Sequence, residues 1–246
     1  MRLFENDDVL ALAKPAGVSM ATSTRAGKSE EEVIARLLGA CGATAAGPLL
    51  LVHRLDVGTT GVVLLAKTDA AHRALSRALQ EKSARKTYRA LVWGHPVPAR
   101  GRIDLALARD PNDGRKMRVA TEGKPASTRY ETLRRYPSLA DLRLQPETGR
   151  THQIRVHLAA KGHPIAGDDF YGGATRWRGV KDRERREALA RLTRPLLHAE
   201  RIEIRELGLD VEARLPEDYE AVLAALLRRA WRGRRRPPPS REGHRR

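Results

Sequence analysis

The chain has 246 residues, a formal net charge of +17 and one cysteine. That length fits one large domain or two small ones, a lone cysteine excludes an internal disulfide and suits a reducing compartment, and no apolar run approaches the ~20 residues that span a bilayer. A basic excess of this size attracts polyanions, so a cytoplasmic protein with a nucleic-acid partner is expected; residues 1–8 lack the layout of a secretory signal.

Taken in order, Val9 to Ala13 predict a short strand, closed by the turn Lys14-Pro15-Ala16-Gly17. Ser29 followed by Glu32 resembles a capping box for a helix carrying Val33, Ile34, Leu37 and Leu38, stopped by Gly39 or Gly42. Val52-His53-Arg54-Leu55-Asp56-Val57-Gly58-Thr59-Thr60-Gly61 then leads into Val62-Val63-Leu64-Leu65-Ala66, which reads as a buried strand. Asp69 is a suitable N-cap for a helix to about Glu81. Residues 86–94 predict a strand, and 101–108, 116–121, 127–134 and 139–144 add short ones, several alternating apolar and polar residues as antiparallel sheet does. Residues 149–161 read as a helix closed by Gly162, and residues 163–172 as a structured loop. Residues 181–192 predict a charged helix, 196–204 a strand, and a last helix opens with Pro216 in its first turn. Few helices among many strands, without a βαβ rhythm, argue an α+β fold. The expected organisation is one domain over 1–230, followed by a disordered Arg/Pro-rich basic tail over 231–246.

Two motif-like stretches carry no chemistry. Gly61 to Thr68 nearly matches a phosphate-binding G-x-x-x-x-G-K-T loop, but its interior is a buried apolar strand with no exposed N–H groups to cradle a phosphate. His152, His157 and His163 lack the spacing of a helical metal pair, and no cysteine joins them, so no metal site is expected.

Asp56 is more informative. It sits in a glycine-punctuated turn pinned to a buried strand, a mounting that holds a carboxylate rigidly and half-solvated. The competing reading is an aspartate that caps backbone N–H groups of its own turn. In the helix of 149–161, Arg150 falls in the first turn, where it would meet phosphate, and Thr151 and Arg155 share a face, with Arg155 pointing inward toward a buried carboxylate.

Three segments together, His53-Arg54-Leu55-Asp56 with Thr59-Thr60-Gly61, Lys86-Thr87-Tyr88, and Gly149-Arg150-Thr151-His152-Gln153-Ile154-Arg155, resemble the RluA family of pseudouridine synthases. Lys14 to Gly17, Gly123 to Ala126, His163 to Asp168 and Leu196 to Ala199 extend the resemblance from residue 3 to about 220. The family pattern has Thr-Ser-Gly where this chain has Thr59-Thr60-Gly61. The match is to the compact type without an N-terminal S4 domain.

The resemblance implies a pseudouridine synthase fold, a mixed, mainly antiparallel sheet with flanking helices around a catalytic cleft. It implies isomerisation of uridine to pseudouridine in structured RNA, ribosomal before transfer RNA, without a cofactor, by a monomer. It makes Asp56 the essential carboxylate, Tyr88 the ring stacked on uracil, and Arg155 the charge that keeps Asp56 ionised. Arg54 would fill the space left by the flipped nucleotide, Arg150 and His152 would contact RNA, and Leu196 and Leu197 would wall the pocket. A non-catalytic RNA-binding assembly factor keeping the same fold is the rival from another class.

Overall fold

The structure, a computed structural model, describes residues 1–22 and 29–228. The basic tail set apart beyond residue 230 lies outside the described residues. In chain order the strands and helices are β1 Arg2–Glu5, β2 Val9–Lys14, α1 Glu30–Cys41, β3 Leu50–Leu51, β4 Thr60–Ala66, α2 Asp69–Gln80 and β5 Arg85–Trp93. They continue with β6 Arg100–Asp104, β7 Leu107–Arg109, β8 Met117–Val119, β9 Ser127–Tyr136, β10 Leu139–Pro146 and α3 Gln153–Ala160. The last are α4 Arg183–Ala190, β11 Leu197–Ile204, β12 Leu209–Glu212 and α5 Glu217–Leu227.

The main sheet runs β1-β2-β4-β11-β5-β10-β9-β6, with β12 on β11 and β3 on β4, while β7 and β8 form a separate hairpin. All its pairings are antiparallel except β11 with β4. The fold is therefore α+β, as expected. The unbroken apolar run of β4 is explained by cover on both faces. Val62, Leu64 and Ala66 pack in the cluster that includes Ala71 and Leu75 of α2, and Val63 and Leu65 in the one with Val33 and Leu37 of α1. A third and larger core joins β5 and β10 to α3, α4 and α5 through Leu91, Leu142, Ile154, Leu189 and Val222. Such two-sided burial removes the polar alternation that marks a half-exposed strand.

Helix ends follow the local chemistry with three shifts. Ser29 caps α1 by accepting from the Glu32 N–H (3.2 Å), and Gly42 ends it in the left-handed conformation. For α2 the cap is Thr68, whose hydroxyl accepts from the Ala71 N–H, so Asp69 is the first helical residue instead. Pro216 is the cap of α5, one position ahead of its first turn. The largest shift is in α3, which starts at Gln153, because His152 before it takes a positive φ of 53° that no helix continues through. Arg150 and Thr151 therefore lie in the preceding turn, and Thr151 shares no helical face with Arg155. Among the described residues no helix is long and apolar enough to cross a membrane.

This topology assembles one row across four strands. Gly61 of β4 pairs with Ala199 of β11, Ala199 with Tyr88 of β5, and Tyr88 with Leu144 of β10. The Asp56 turn stands at the β4 end of that row.

Candidate active site

The Asp56 turn is held by its backbone. The Asp56 carbonyl accepts from the Thr59 N–H (3.0 Å), and the Val57 carbonyl accepts from the Gly17 N–H (2.9 Å) and the Lys14 ammonium (3.2 Å). The Gly58 carbonyl accepts from Arg194 Nη1 at 3.3 Å. Lys14 and Arg194 are both buried, and Arg194 is fixed in turn by two 2.7 Å bonds to Asp218. No backbone N–H among the described residues donates to the Asp56 carboxylate, so the turn-capping reading is not what the fold uses it for. The carboxylate is a quarter exposed and lies 3.6 Å from Arg155 Nη1 and 4.0 Å from His152 Nε2.

Arg155 points inward as expected, but its closest partner is a carboxylate the sequence reading did not single out. Its Nε and Nη2 form a fork on Asp168 at 2.7 and 2.9 Å, and Asp168 also accepts from the Phe170 and Tyr171 N–H groups. The guanidinium lies over the Phe170 and Tyr171 rings at 5.4 and 5.0 Å. Burial opposes its charge, and the Asp168 bonds more than offset that cost. Arg155 thus reaches Asp56 from a fixed platform.

The remaining residues surround a cavity of about 290 Å³ lined by Asp56, Tyr88, Arg155, Arg54, His152 and Leu197 among others. Tyr88 is half-buried on β5; burial, and secondarily the Asp56 charge, push its phenol well above the ordinary value, so it stays protonated at neutral pH. His152 has its Nδ1 2.8 Å from the Tyr171 hydroxyl, and burial holds its ring below the usual histidine range against the pull of Asp56. Arg54 is exposed at the cavity rim, and Arg150 is exposed at its mouth, where its Nε donates to the Pro125 carbonyl. The turn carrying Arg150 is pinned by Gln153, whose Oε1 accepts from the Arg150 N–H and whose Nε2 donates to the Ser127 carbonyl.

Leu196 corrects an expectation. It is fully buried in the large core and its backbone bonds to Ala166 and Leu91, so only Leu197 walls the cavity. Leu197, the first residue of β11, packs in the same core and also lines the cavity. The sequence reading also passed over Asp168, Gln153 and Arg194. Asp168 did carry a signal, a charge closing the apolar loop Pro164-Ile165-Ala166-Gly167, where an unpaired carboxylate would be costly. Among the described residues no three His, Cys, Asp or Glu side chains cluster as metal ligands.

A carboxylate with an arginine 3.6 Å away and a tyrosine thus line one cavity, the arrangement the sequence resemblance leads one to expect. Residues 8–160 match the family model described as RNA pseudouridylate synthase. The chain is 37% identical over 221 residues to the dual-specificity RNA pseudouridine synthase RluA of Escherichia coli K12, covering 88% of this chain and 93% of that one. It is also 37% identical over 229 residues to the ribosomal large subunit pseudouridine synthase D of Nitrosomonas europaea, covering 91% of this chain and 64% of that one. The solved structure titled human RNA pseudouridylate synthase domain containing 4 superposes with a TM-score of 0.71 at 27% identity, covering 92% of each chain. The chain belongs to the RluA family of RNA pseudouridine synthases, isomerases that convert uridine to pseudouridine.

Proposed function

We propose that this chain modifies specific uridines of structured ribosomal RNA, with Asp56 as the reacting carboxylate. The observation that carries the reading is the division of labour in the 56–59 turn. The carbonyls of Asp56, Val57 and Gly58 are engaged by Thr59, Gly17, Lys14 and Arg194, while the Asp56 carboxylate faces the cavity with Arg155 and His152 beside it.

In the isomerisation the N1–C1′ bond breaks, uracil turns, C5 bonds to C1′, the C5 proton leaves and N1 gains one. Attack at C1′ and removal of a sugar proton both require an ionised carboxylate beside the ribose, and Arg155 Nη1 stands 3.6 Å from that of Asp56. The cavity volume suits a single flipped base, and flipping costs a few kcal/mol that stacking on Tyr88 and contacts at the mouth offset. A protonated Tyr88 acts as a neutral hydrogen-bonding group toward the C5 proton's path, not as a phenolate base. Arg54 at the rim fills the vacated stack, Arg150 and His152 hold the RNA backbone and sugar, and Leu197 closes the wall. The setting is a cytoplasmic monomer.

Transfer RNA is the second substrate class to test, because the relative matched nearly end to end is described as dual-specificity. Tritium release from C5-labelled uridine in ribosomal and transfer RNA checks the whole reading. Release is expected from ribosomal RNA and is expected to vanish with Asp56→Asn. Turnover surviving that substitution would remove Asp56 from the mechanism, and release from neither RNA would favour the binding-only rival.

A further inference from the structure

The cavity at Asp56 does not end at its mouth. A groove of about 900 Å³ continues from it, sharing His53, Leu79, Lys86, Pro146 and the Thr148–Arg150 turn. Lys82, Arg85 and Arg129 line its far part. Arg129 is already paired with Glu147 at 2.5 Å. Lys82, Arg85 and Lys86 have no carboxylate within 4.0 Å among the described residues.

Lys86 is the unusual member. It stands two residues before Tyr88 on β5, so both side chains leave the same face of the strand. Its ammonium lies where the base cavity opens into the groove, close enough to Gly149 that a methyl there would stand 3.9 Å away. Nearby His53 supplies no anion: its Nε2 accepts from the Leu64 N–H, which leaves the ring neutral. Burial lowers the Lys86 ammonium from the ordinary lysine value. A half-buried cation without an anion is costly, and the cost is recovered when a phosphate arrives.

We propose that Lys86 binds the phosphate of the flipped nucleotide and that the groove beyond it carries the adjoining RNA strand on Lys82 and Arg85. This rests on the Asp56 reading for which cavity receives the base. The volume of the groove, about 900 Å³, and its continuity with that cavity favour a polyanionic strand over a small anion. Flanking phosphates then supply affinity that the bound substrate and the transition state share, which lowers KM without raising kcat.

The test uses the full chain carrying Asp56→Asn, with a labelled oligouridylate of about 12 nucleotides, within the range such grooves hold. Affinity is measured between 50 and 200 mM salt, roughly the span over which phosphate contacts are read. Lys86→Met is expected to lower the slope of log affinity against log salt by about 0.7, and Lys82→Ala with Arg85→Ala by about twice that. Each lost contact makes the affinity drop across that range smaller by two- to three-fold, roughly. Lys86→Arg should restore the slope, and Arg183→Ala, on a remote exposed ion pair, should leave it unchanged. In the active enzyme Lys86→Met should raise KM with kcat nearly constant. Unchanged slopes in correctly folded Lys86→Met and groove variants would overturn the proposal. So would a fall in kcat at saturating RNA with KM unchanged, which would assign Lys86 to the chemistry. Tritium release by the unsubstituted chain reports on Asp56 separately, so a groove that fails in an active enzyme counts against Lys86 alone.

Discussion

Two buried cations bracket the Asp56 turn, and their role differs from that of Arg155. Arg155 acts on the carboxylate, whereas Lys14 and Arg194 act on the carbonyls of Val57 and Gly58 and so fix where the carboxylate stands. Burial brings the Lys14 ammonium down to about 8, against the pull of Asp56, which marks how much solvation the fold gives up to place it. Arg194 also carries the Pro195 ring, and a methyl on Gly58 would stand 2.9 Å from it. Arg194 is therefore a positioning residue. Arg194→Met is expected to lower kcat by about 10²-fold with KM little changed, because a displacement of about 1 Å at the reacting group costs that much. Arg194→Lys should recover part of the loss, since it can still reach the Gly58 carbonyl. Steady-state kinetics on both variants checks this; equal losses in kcat and thermal midpoint without rescue would indicate a structural role only.

At the level of elements, the sequence shows most of what local chemistry determines and little of what pairing determines. β4 was legible because Val62 to Ala66 is short, apolar and bounded by Gly61 and a polar stretch. β1, β3 and β12 were not, since two to four residues leave no period to read. The α3 start was misplaced because Gln153 ties down the turn before it through Ser127, Thr128 and Thr148, contacts with no trace in local pattern. Of the candidate site, Asp56, Tyr88 and Arg155 were singled out through motif resemblance, while the pairing of Asp168 with Arg155 was not legible, because that fork joins a helix to a loop. The insertion of β11 between β4 and β5 was likewise invisible, yet one glycine records it. Gly61 has φ of 118°, and a methyl there would stand 2.1 Å from the Ala199 carbonyl oxygen. Gly61→Ala is expected to destabilise the protein by at least about 1–3 kcal/mol from backbone strain alone. It should also abolish turnover by displacing β4 from β11 beside Asp56. Urea unfolding and tritium release measure the two effects, and a variant with unchanged midpoint would mean that the β4–β11 approach is looser than the structure has it.

Across the whole molecule, burial of histidines ties stability to pH. His53, His152, His157 and His198 are all held below the ordinary value, with burial the largest cause in each, and His53 falls to about 4. His157 and His198 sit between a threonine hydroxyl and a backbone carbonyl, a setting satisfied by the neutral ring. The unfolded chain protonates these rings near pH 6.5, roughly, and the folded one resists until lower pH. Between those values the unfolded state binds more protons, so stability is fully present above about pH 6.5 and is lost as pH falls toward the folded values. Each such ring contributes up to about 1.4 kcal/mol per pH unit inside its window. Acidification also adds positive charge to a chain already at +17, so self-repulsion acts in the same direction. The two causes separate experimentally, because repulsion is screened by salt and a buried ring is not. His53→Gln keeps an acceptor for the Leu64 N–H while removing the titration. Urea unfolding from pH 6.5 to 5 in high salt is expected to show a slope shallower than that of the parent by up to about 1.4 kcal/mol per unit. An unchanged slope would mean that His53 protonates in the folded protein as readily as in the unfolded chain, and that Lys86 and burial do not govern it.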